Sequence, residues 1–331
     1  MKILITGATG QIGHKLALTL AERNNEIHVL VRDSNSFNIP IHKNIRVFKG
    51  DITDLQSISA AIYGCNQVYH VAALAKIFDT DPTQFHKINV EGTNNLLQKA
   101  LEFGVERFLF TSSCSVIGAS NGKTLNENDS RTTPFFCDYD ITKYKAEKLV
   151  KEYVSKGLHA VIVSPSKVYG YSCIETKDIS TNKIIHNFLN GKLTFIPKPS
   201  HLIANYCFID DVVEGHILAL NKGKSGENYI LGGENVSYKD FFTILKKISG
   251  AKSKLLEVPK IIAKIASILQ WIQFYTSHKE PFITDKSIRQ IFCNKIFSSK
   301  KAITDLDYKI TPFTEGLKQT IYSLKNQSHE N

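Results

Sequence analysis

The sequence predicts an α/β fold, a doubly wound parallel sheet followed by a smaller, mostly helical C-terminal cap. Three observations point to it. Short apolar runs alternate with helical stretches through residues 1–170. A glycine-rich loop, ITGATGQIG at 5–13, joins the first apolar run to the first helical stretch. After residue 170 the alternation stops, and 239–331 reads as mostly helical and lysine-rich with no β alternation. Strands separated by helices pair in parallel, and a parallel sheet needs cover on both faces.

The elements follow in order. KILIT (2–6) is short and apolar, as a buried strand should be, and 11–23 reads as a helix. EIHVLVR (26–32) and IRVFKGD (45–51) are the next strands, with a helix at 53–63. QVYHVAA (67–73) and RFLFTSS (107–113) flank a helix at 82–103. A helix at 138–156 leads into the strand HAVIVSP (159–165). Beyond it, 197–211 is loop-rich and ENYILGG (227–233) reads as one more strand. The apolar stretch 258–275 reads as an amphipathic cap helix packed on the core, with pocket lining or membrane-surface contact as alternatives.

Composition narrows the partners. Of 331 residues, 42% are hydrophobic and 22% charged, as in ordinary globular chains. The formal charge of +10 comes mostly from scattered lysines, without a block of like charge. That pattern is a solvated surface, and no nucleic-acid motif accompanies it. The longest apolar candidate, 265–278, is too short and polar to span a bilayer. Six cysteines (65, 114, 137, 173, 207 and 293) lack CxxC spacing and His partners, so reduced thiols are expected, with neither a disulfide framework nor a metal site. MKILITG enters a strand at once, from which no signal peptide and a cytoplasmic location are expected.

Gly7, Gly10 and Gly13 fall at G-x-x-G-x-x-G. Glycine permits positive φ and lets backbone approach a pyrophosphate, while the following helix offers free N–H groups at the positive end of its dipole. Between the first strand and the first helix of a βαβ pattern, this reads as a dinucleotide site. Residues 7–13, including Thr9, Gln11 and Ile12, are therefore expected at the cofactor. The second strand ends VLVRD. An acid near this point suits the ribose hydroxyls of NAD, whereas an Arg suits the 2′-phosphate of NADP. Arg32 favours NADP(H); Asp33, one residue late, leaves NAD(H) possible. On this reading 1–170 is an NAD(P)-binding Rossmann domain, to which 206–236 returns, and 171–205 with 237–331 is a substrate-binding cap.

DYDITKYKAEK (138–148) holds two Tyr-x-x-x-Lys pairs, Tyr139–Lys143 and Tyr144–Lys148. At about 100° per residue, Ala146, Val150, Tyr153 and Lys143 fall within roughly 40° of Tyr139, whereas Tyr144 and Lys148 lie near 140° and 180°. Tyr139 and Lys143 should face the sheet and its cleft; the second pair should face solvent.

Together with the glycine loop, Tyr139-x-x-Thr142-Lys143 resembles the active-site helix of the short-chain dehydrogenase/reductase family, extended branch, and the resemblance covers nearly the whole chain. GDITD (50–54) would set Asp51 and Ile52 at the adenine, and HVAA (70–73) would set Ala72 and Ala73 beside the nicotinamide ribose. NVEGTNNLL (89–97) implies Asn89 at the cofactor. FTSSCSVIG (110–118) implies Ser113 as the catalytic serine. SPSKVYG (164–170) implies a loop reaching the carboxamide through Pro165 and Ser166, and FIDDVVEGHI (208–217) resembles a cap-edge signature.

The chemistry implied is hydride transfer between nicotinamide and a carbonyl carbon. Tyr139 would exchange the proton, Lys143 would lower its pKa, and Ser113 would bond the substrate oxygen. Tyr139 and Lys143 would also touch the cofactor, and Thr142 would support the helix. VLVRD, the P-S-x-V form at 165–168 and the C-terminal pattern resemble dihydroflavonol 4-reductase and 3β-hydroxysteroid dehydrogenase relatives, which implies a small-molecule substrate that is bulky and largely apolar. A nucleotide-sugar epimerase or dehydratase is the alternative. Such members commonly carry an Arg where this chain has Asn205, and no Arg occurs from 132 to 288. A non-catalytic cofactor-binding regulator is the third reading. Lys76, Phe78, Cys137, Tyr169, Tyr171 and Asn205 are candidate substrate contacts. His70 reads as a packed core residue and Asp210 and Asp211 as structural bonds at the cap edge. A homodimer through 82–103 and 138–156 is the family habit.

Overall fold

The computed structural model describes residues 1–76, 79–171, 181–277, 281 and 283–327. Its first half runs β1 (Lys2–Thr6), α1 (Gln11–Glu22), β2 (Glu26–Val31), β3 (Ile45–Lys49), α2 (Leu55–Ile62), β4 (Gln67–His70), α3 (Thr83–His86), α4 (Gly92–Glu102), β5 (Arg107–Thr111), α5 (Asp138–Ser155) and β6 (Ala160–Pro165). The remainder runs β7 (Lys167–Tyr169), α6 (Thr181–Leu189), β8 (Thr194–Lys198), β9 (Ile203–Phe208), α7 (Ile209–Lys222), β10 (Asn228–Leu231), β11 (Glu234–Ser237), α8 (Tyr238–Ser249), β12 (Leu255–Pro259), α9 (Lys260–Ser277), α10 (Asp285–Ile291), α11 (Lys300–Leu306) and α12 (Phe313–Gln327).

Seven parallel strands form one sheet in the order β10-β6-β5-β4-β1-β2-β3. Alternation along each strand sends side chains to opposite faces. Ile3 and Ile5 of β1 join a core with Leu16, Leu20 and Val213 of α1 and α7. Leu4 joins the opposite core with Ile58, Leu97 and Val150 of α2, α4 and α5. The sheet is thus covered on both faces, as a parallel sheet must be. The strand order reverses between β1 and β4, and the crevice beyond their carboxyl ends is where such sheets bind ligands.

Three departures from the sequence reading have local causes. The helix expected over 82–103 is split by a π-helical turn at Lys87–Glu91, so α3 and α4 are separate. The buried Asn89 sits in that turn, with its side chain bonded to the backbone of Leu74. The C-terminal half is mostly helical, but it also contains a three-stranded sheet, β11-β9-β7, and a two-stranded one, β12-β8. These strands are three to six residues long and too short to impose a period of two that a reader would notice.

The third departure is α9. An amphipathic helix packed on the core should bury its large apolar side chains. Instead Ala263 and Ser267 are buried, and Ile261, Ile265, Ile268, Leu269 and Ile272 are exposed. Among the described residues no helix is long and apolar enough to cross a membrane.

Candidate active site

The glycine loop fills the switch point. Gly7 has φ +75, and a Cβ there would lie 2.6 Å from the Ala72 nitrogen at the end of β4. A Cβ on Gly13 would lie 2.2 Å from the Gly7 carbonyl oxygen. Both neighbours are backbone, so only glycine allows the first turn of α1 to close on β1. Gly10 donates to the Gly7 carbonyl at 2.9 Å, and its own Cβ position is more open, with 3.3 Å to the nearest atom. No side chain caps α1. Its first N–H groups and positive dipole end face the crevice without a protein carboxylate or hydroxyl, which suits a pyrophosphate. Gln11 donates from Nε2 to the Gly170 carbonyl at 3.2 Å, linking the loop to the end of β7.

Ser113 leaves β5 in extended conformation and opens a short 3-10 turn, its hydroxyl accepting from the Ser115 N–H at 3.2 Å. Burial pushes the pKa of the Tyr139 phenol up, and the neighbouring Ser113 hydroxyl opposes that shift. Lys143 lies one turn along α5, 1% exposed, with Nζ 4.0 Å from the centre of the Phe110 ring. Burial pulls its pKa down to about 7, against the opposing charge of Glu147. The neighbours that act on the phenol include Ser113, Asp140 and Cys137, and desolvation weakens the lysine's own charge. Tyr144 and Lys148 are exposed, with Lys148 Nζ over the Tyr144 ring, as the helical wheel requires.

Beneath the site a polar relay ties the sheet to α4 and α5. His70 is fully buried; Nδ1 lies 2.8 Å from Thr6 Oγ1 and Nε2 lies 2.9 Å from Thr93 Oγ1. Burial holds its pKa at about 3, so it is a neutral packing residue. Asn89 was expected at the cofactor. Its amide instead donates to the Leu74 carbonyl and to Thr142 Oγ1, and accepts from the Leu74 N–H. With both donors occupied and 1% exposure, it holds the loop after β4 against α5. Thr142 donates back to the Asp138 carbonyl, a supporting role as expected.

At the other end of the crevice Arg32 is exposed just after β2. The Asp33 carboxylate accepts from the Asn35 N–H of its own loop at 2.9 Å. Asp51 accepts from the Thr53 N–H and hydroxyl, and Ile52 packs against Gly92. Ala72 and Ala73 are partly buried just past β4, and Pro165 closes β6. The Ser166 hydroxyl donates to Asn205 Oδ1 at 2.6 Å.

Three candidate substrate contacts are corrected. Asn205 is buried, accepts from Ser166 and the Gly233 N–H, and donates to the Gly233 carbonyl and Asn235. Tyr169 is a core residue packed between Phe208, at a tilt, and the edge-on ring of Phe313. The buried Cys137 thiol accepts from Gln290 Nε2, and burial pushes its pKa up to about 12. Lys76 is half-exposed and pairs with Asp79, and Tyr171 is half-buried at the end of the described segment. Phe78 lies outside the described residues. In the first turn of α7 Asp211 accepts from the Thr311 N–H and hydroxyl and Asp210 pairs with Lys15, the structural roles expected.

Two groups escaped the sequence reading. Ser112 donates to the half-buried Glu147, whose position four residues after Lys143 was the available signal. Arg131 donates to the carbonyls of Ser115, Val116, Thr133 and Pro134 and stacks on Phe135, clamping the serine turn to the approach to α5. Nothing in its local sequence marks that role.

Comparison with known proteins extends the picture. Residues 3–232 match the NAD dependent epimerase/dehydratase family. A 3-beta-hydroxysteroid dehydrogenase of Mycolicibacterium neoaurum is 27% identical over 323 residues, covering 93% of this chain and 87% of its own. Sterol demethylase protein B of Methylococcus capsulatus is 29% identical over 273 residues, covering 82% of this chain and 81% of its own. The crystal structure of gox2253 superposes with a TM-score of 0.81 at 31% identity, covering 98% of each chain.

Proposed function

The chain belongs to the NAD dependent epimerase/dehydratase family, and from that premise we propose that it is an NADP(H)-dependent oxidoreductase acting on a ketone or secondary alcohol of a bulky, largely apolar molecule. The observation that carries this reading is the Ser113 hydroxyl placed where it acts on the Tyr139 phenol, with Lys143 one turn along the same helix. The dinucleotide, held by residues 7–13 and by Arg32, supplies or accepts the hydride when bound. Ser113 donates to the substrate carbonyl oxygen and orients it. Tyr139 gives that oxygen its proton as the carbonyl carbon becomes an alcohol carbon, and takes the proton back in the reverse direction. Lys143 supplies positive charge to balance the phenolate left behind. The steroid- and sterol-related names of the relatives support a bulky apolar substrate held by the cap. A homodimer through α4 and α5 is part of the same reading, checked by sedimentation equilibrium.

Arg32 carries the cofactor preference. It is exposed beside a loop whose one acid, Asp33, is turned to Asn35. Arg32→Ala is expected to weaken NADPH binding by roughly tenfold to a hundredfold, the scale of one charge-assisted phosphate contact, and to leave NADH nearly unchanged. Equal loss for both in a fluorescence titration would overturn the assignment.

The epimerase reading needs a dinucleotide retained through many cycles. Denaturing the freshly purified protein and identifying any released nucleotide separates the two. Near-stoichiometric NAD would favour the epimerase; a site that exchanges NADPH freely, with turnover on bulky ketones, favours the reductase.

A further inference from the structure

We propose that α9 is a docking surface for anionic lipid bilayers, on which the protein sits without crossing. The inference rests on the cap's surface and is independent of the chemistry proposed for the site. Ile261, Ile265, Ile268, Leu269, Ile272 and Tyr275 are each more than half exposed. At ~100° per residue they fall within about 120° of the helix circumference, one continuous stripe over the whole length of α9. The opposite face is the one that packs inward, and it carries the small Ala263 and Ser267. The helix is therefore inverted relative to a core helix, with its bulky apolar groups turned to the outside. Leu256 of β12 and Phe195 of β8 are register partners and also exposed, so the two-stranded sheet leading into α9 presents further apolar side chains.

Charge selects the occupant. Residues 260–277 of α9 contain Lys260 and Lys264 and no Asp or Glu, and Glu257 in the preceding strand accepts from the Ser200 hydroxyl. Lys260 and Lys264 are exposed and come next around the helix at one edge of the stripe. A second copy seated on this face would bring another acid-free, lysine-edged stripe, with no charge complement in either helix. An anionic bilayer supplies both halves: its acyl boundary takes the isoleucines, and its phosphates take the lysine ammonium groups, whose stems run along the apolar surface. The Tyr275 ring lies 6.1 Å from that of Trp271, so the C-terminal half adds an aromatic pair of the kind that settles at headgroup level. The chain's net charge of +10 draws the whole molecule toward such a surface.

The test is co-sedimentation of the full-length protein with vesicles of phosphatidylcholine alone and of phosphatidylcholine with about a third phosphatidylglycerol. Binding is expected to the anionic vesicles, weakening with salt. Ile265→Glu and Leu269→Glu are each expected to lower the partition coefficient by about tenfold, or about 1.4 kcal/mol. Lys260→Glu with Lys264→Glu is expected to remove the preference for anionic lipid. Because all four positions are exposed, an unchanged melting temperature verifies folding. Failure to pellet with anionic vesicles overturns the proposal, as does pelleting that Ile265→Glu leaves intact. A dimer that Ile265→Glu dissociates in sedimentation equilibrium overturns it as well, by making the stripe a contact between copies.

Discussion

Tyr139→Phe is expected to lower kcat by about 10²–10⁴-fold, the usual contribution of a positioned proton donor, while NADPH binding stays close to that of the unchanged protein. The ring remains, so packing beside α5 is kept; only the hydroxyl that meets Ser113 is lost. Tyr144→Phe is the control. Tyr144 has the same spacing to a lysine but lies on the exposed side of the helix, against Lys148. Steady-state kinetics with a reducible ketone, paired with a binding titration, separates the two. If Tyr144→Phe abolished turnover and Tyr139→Phe did not, the assignment of the catalytic face would fail. Loss of NADPH binding in Tyr139→Phe would show that the tyrosine serves the cofactor before the proton.

Gly13→Ala should damage the fold and the cofactor site together. Its Cβ would lie 2.2 Å from the Gly7 carbonyl oxygen and 2.7 Å from the carbonyl carbon, both backbone atoms of a loop that is itself pinned against β4. Overpacking of this kind costs about 1–3 kcal/mol, which predicts a melting temperature lower by several degrees. NADPH affinity should fall at least about tenfold, because α1 must move off the loop whose N–H groups it presents. Gly10→Ala is the informative partner. Its Cβ meets only the Gly7 oxygen, at 3.3 Å, so the melting temperature should barely change. If Gly10 is where backbone approaches a pyrophosphate, NADPH binding should still fall steeply. Thermal melts and calorimetric titration of both variants check this. Unchanged NADPH binding in Gly10→Ala would remove the loop from the cofactor site.

Much of the fold was legible because its signals are local. The runs 2–6, 26–32, 107–113 and 159–165 became β1, β2, β5 and β6 with their ends trimmed by up to two residues. A buried parallel strand needs consecutive apolar residues, and little else in this sequence offers them. The glycine spacing and the orientation of the Tyr139 helix follow from chain geometry within a dozen residues, and both stand in the structure. The site's support was less legible. Asn89, Asn205, Tyr169 and Cys137 are polar or aromatic residues near motifs, and chain proximity suggested ligand contacts. Each instead meets a partner that is 15 or more residues away: Leu74, Gly233, Phe313 and Gln290 respectively.

By itself, then, the sequence determined the alternation of strands and helices, the glycine turn and the face of α5 that carries Tyr139 and Lys143. Each depends on periods of two or 3.6 residues, or on a conformation only glycine adopts. The tertiary structure alone decided which polar groups are used internally and how far Lys143 is desolvated. It also decided that α9 turns its isoleucines outward. Those outcomes depend on what lies opposite a side chain in space, and hydrophobic periodicity tells that a helix has two faces without telling which one the rest of the chain will cover.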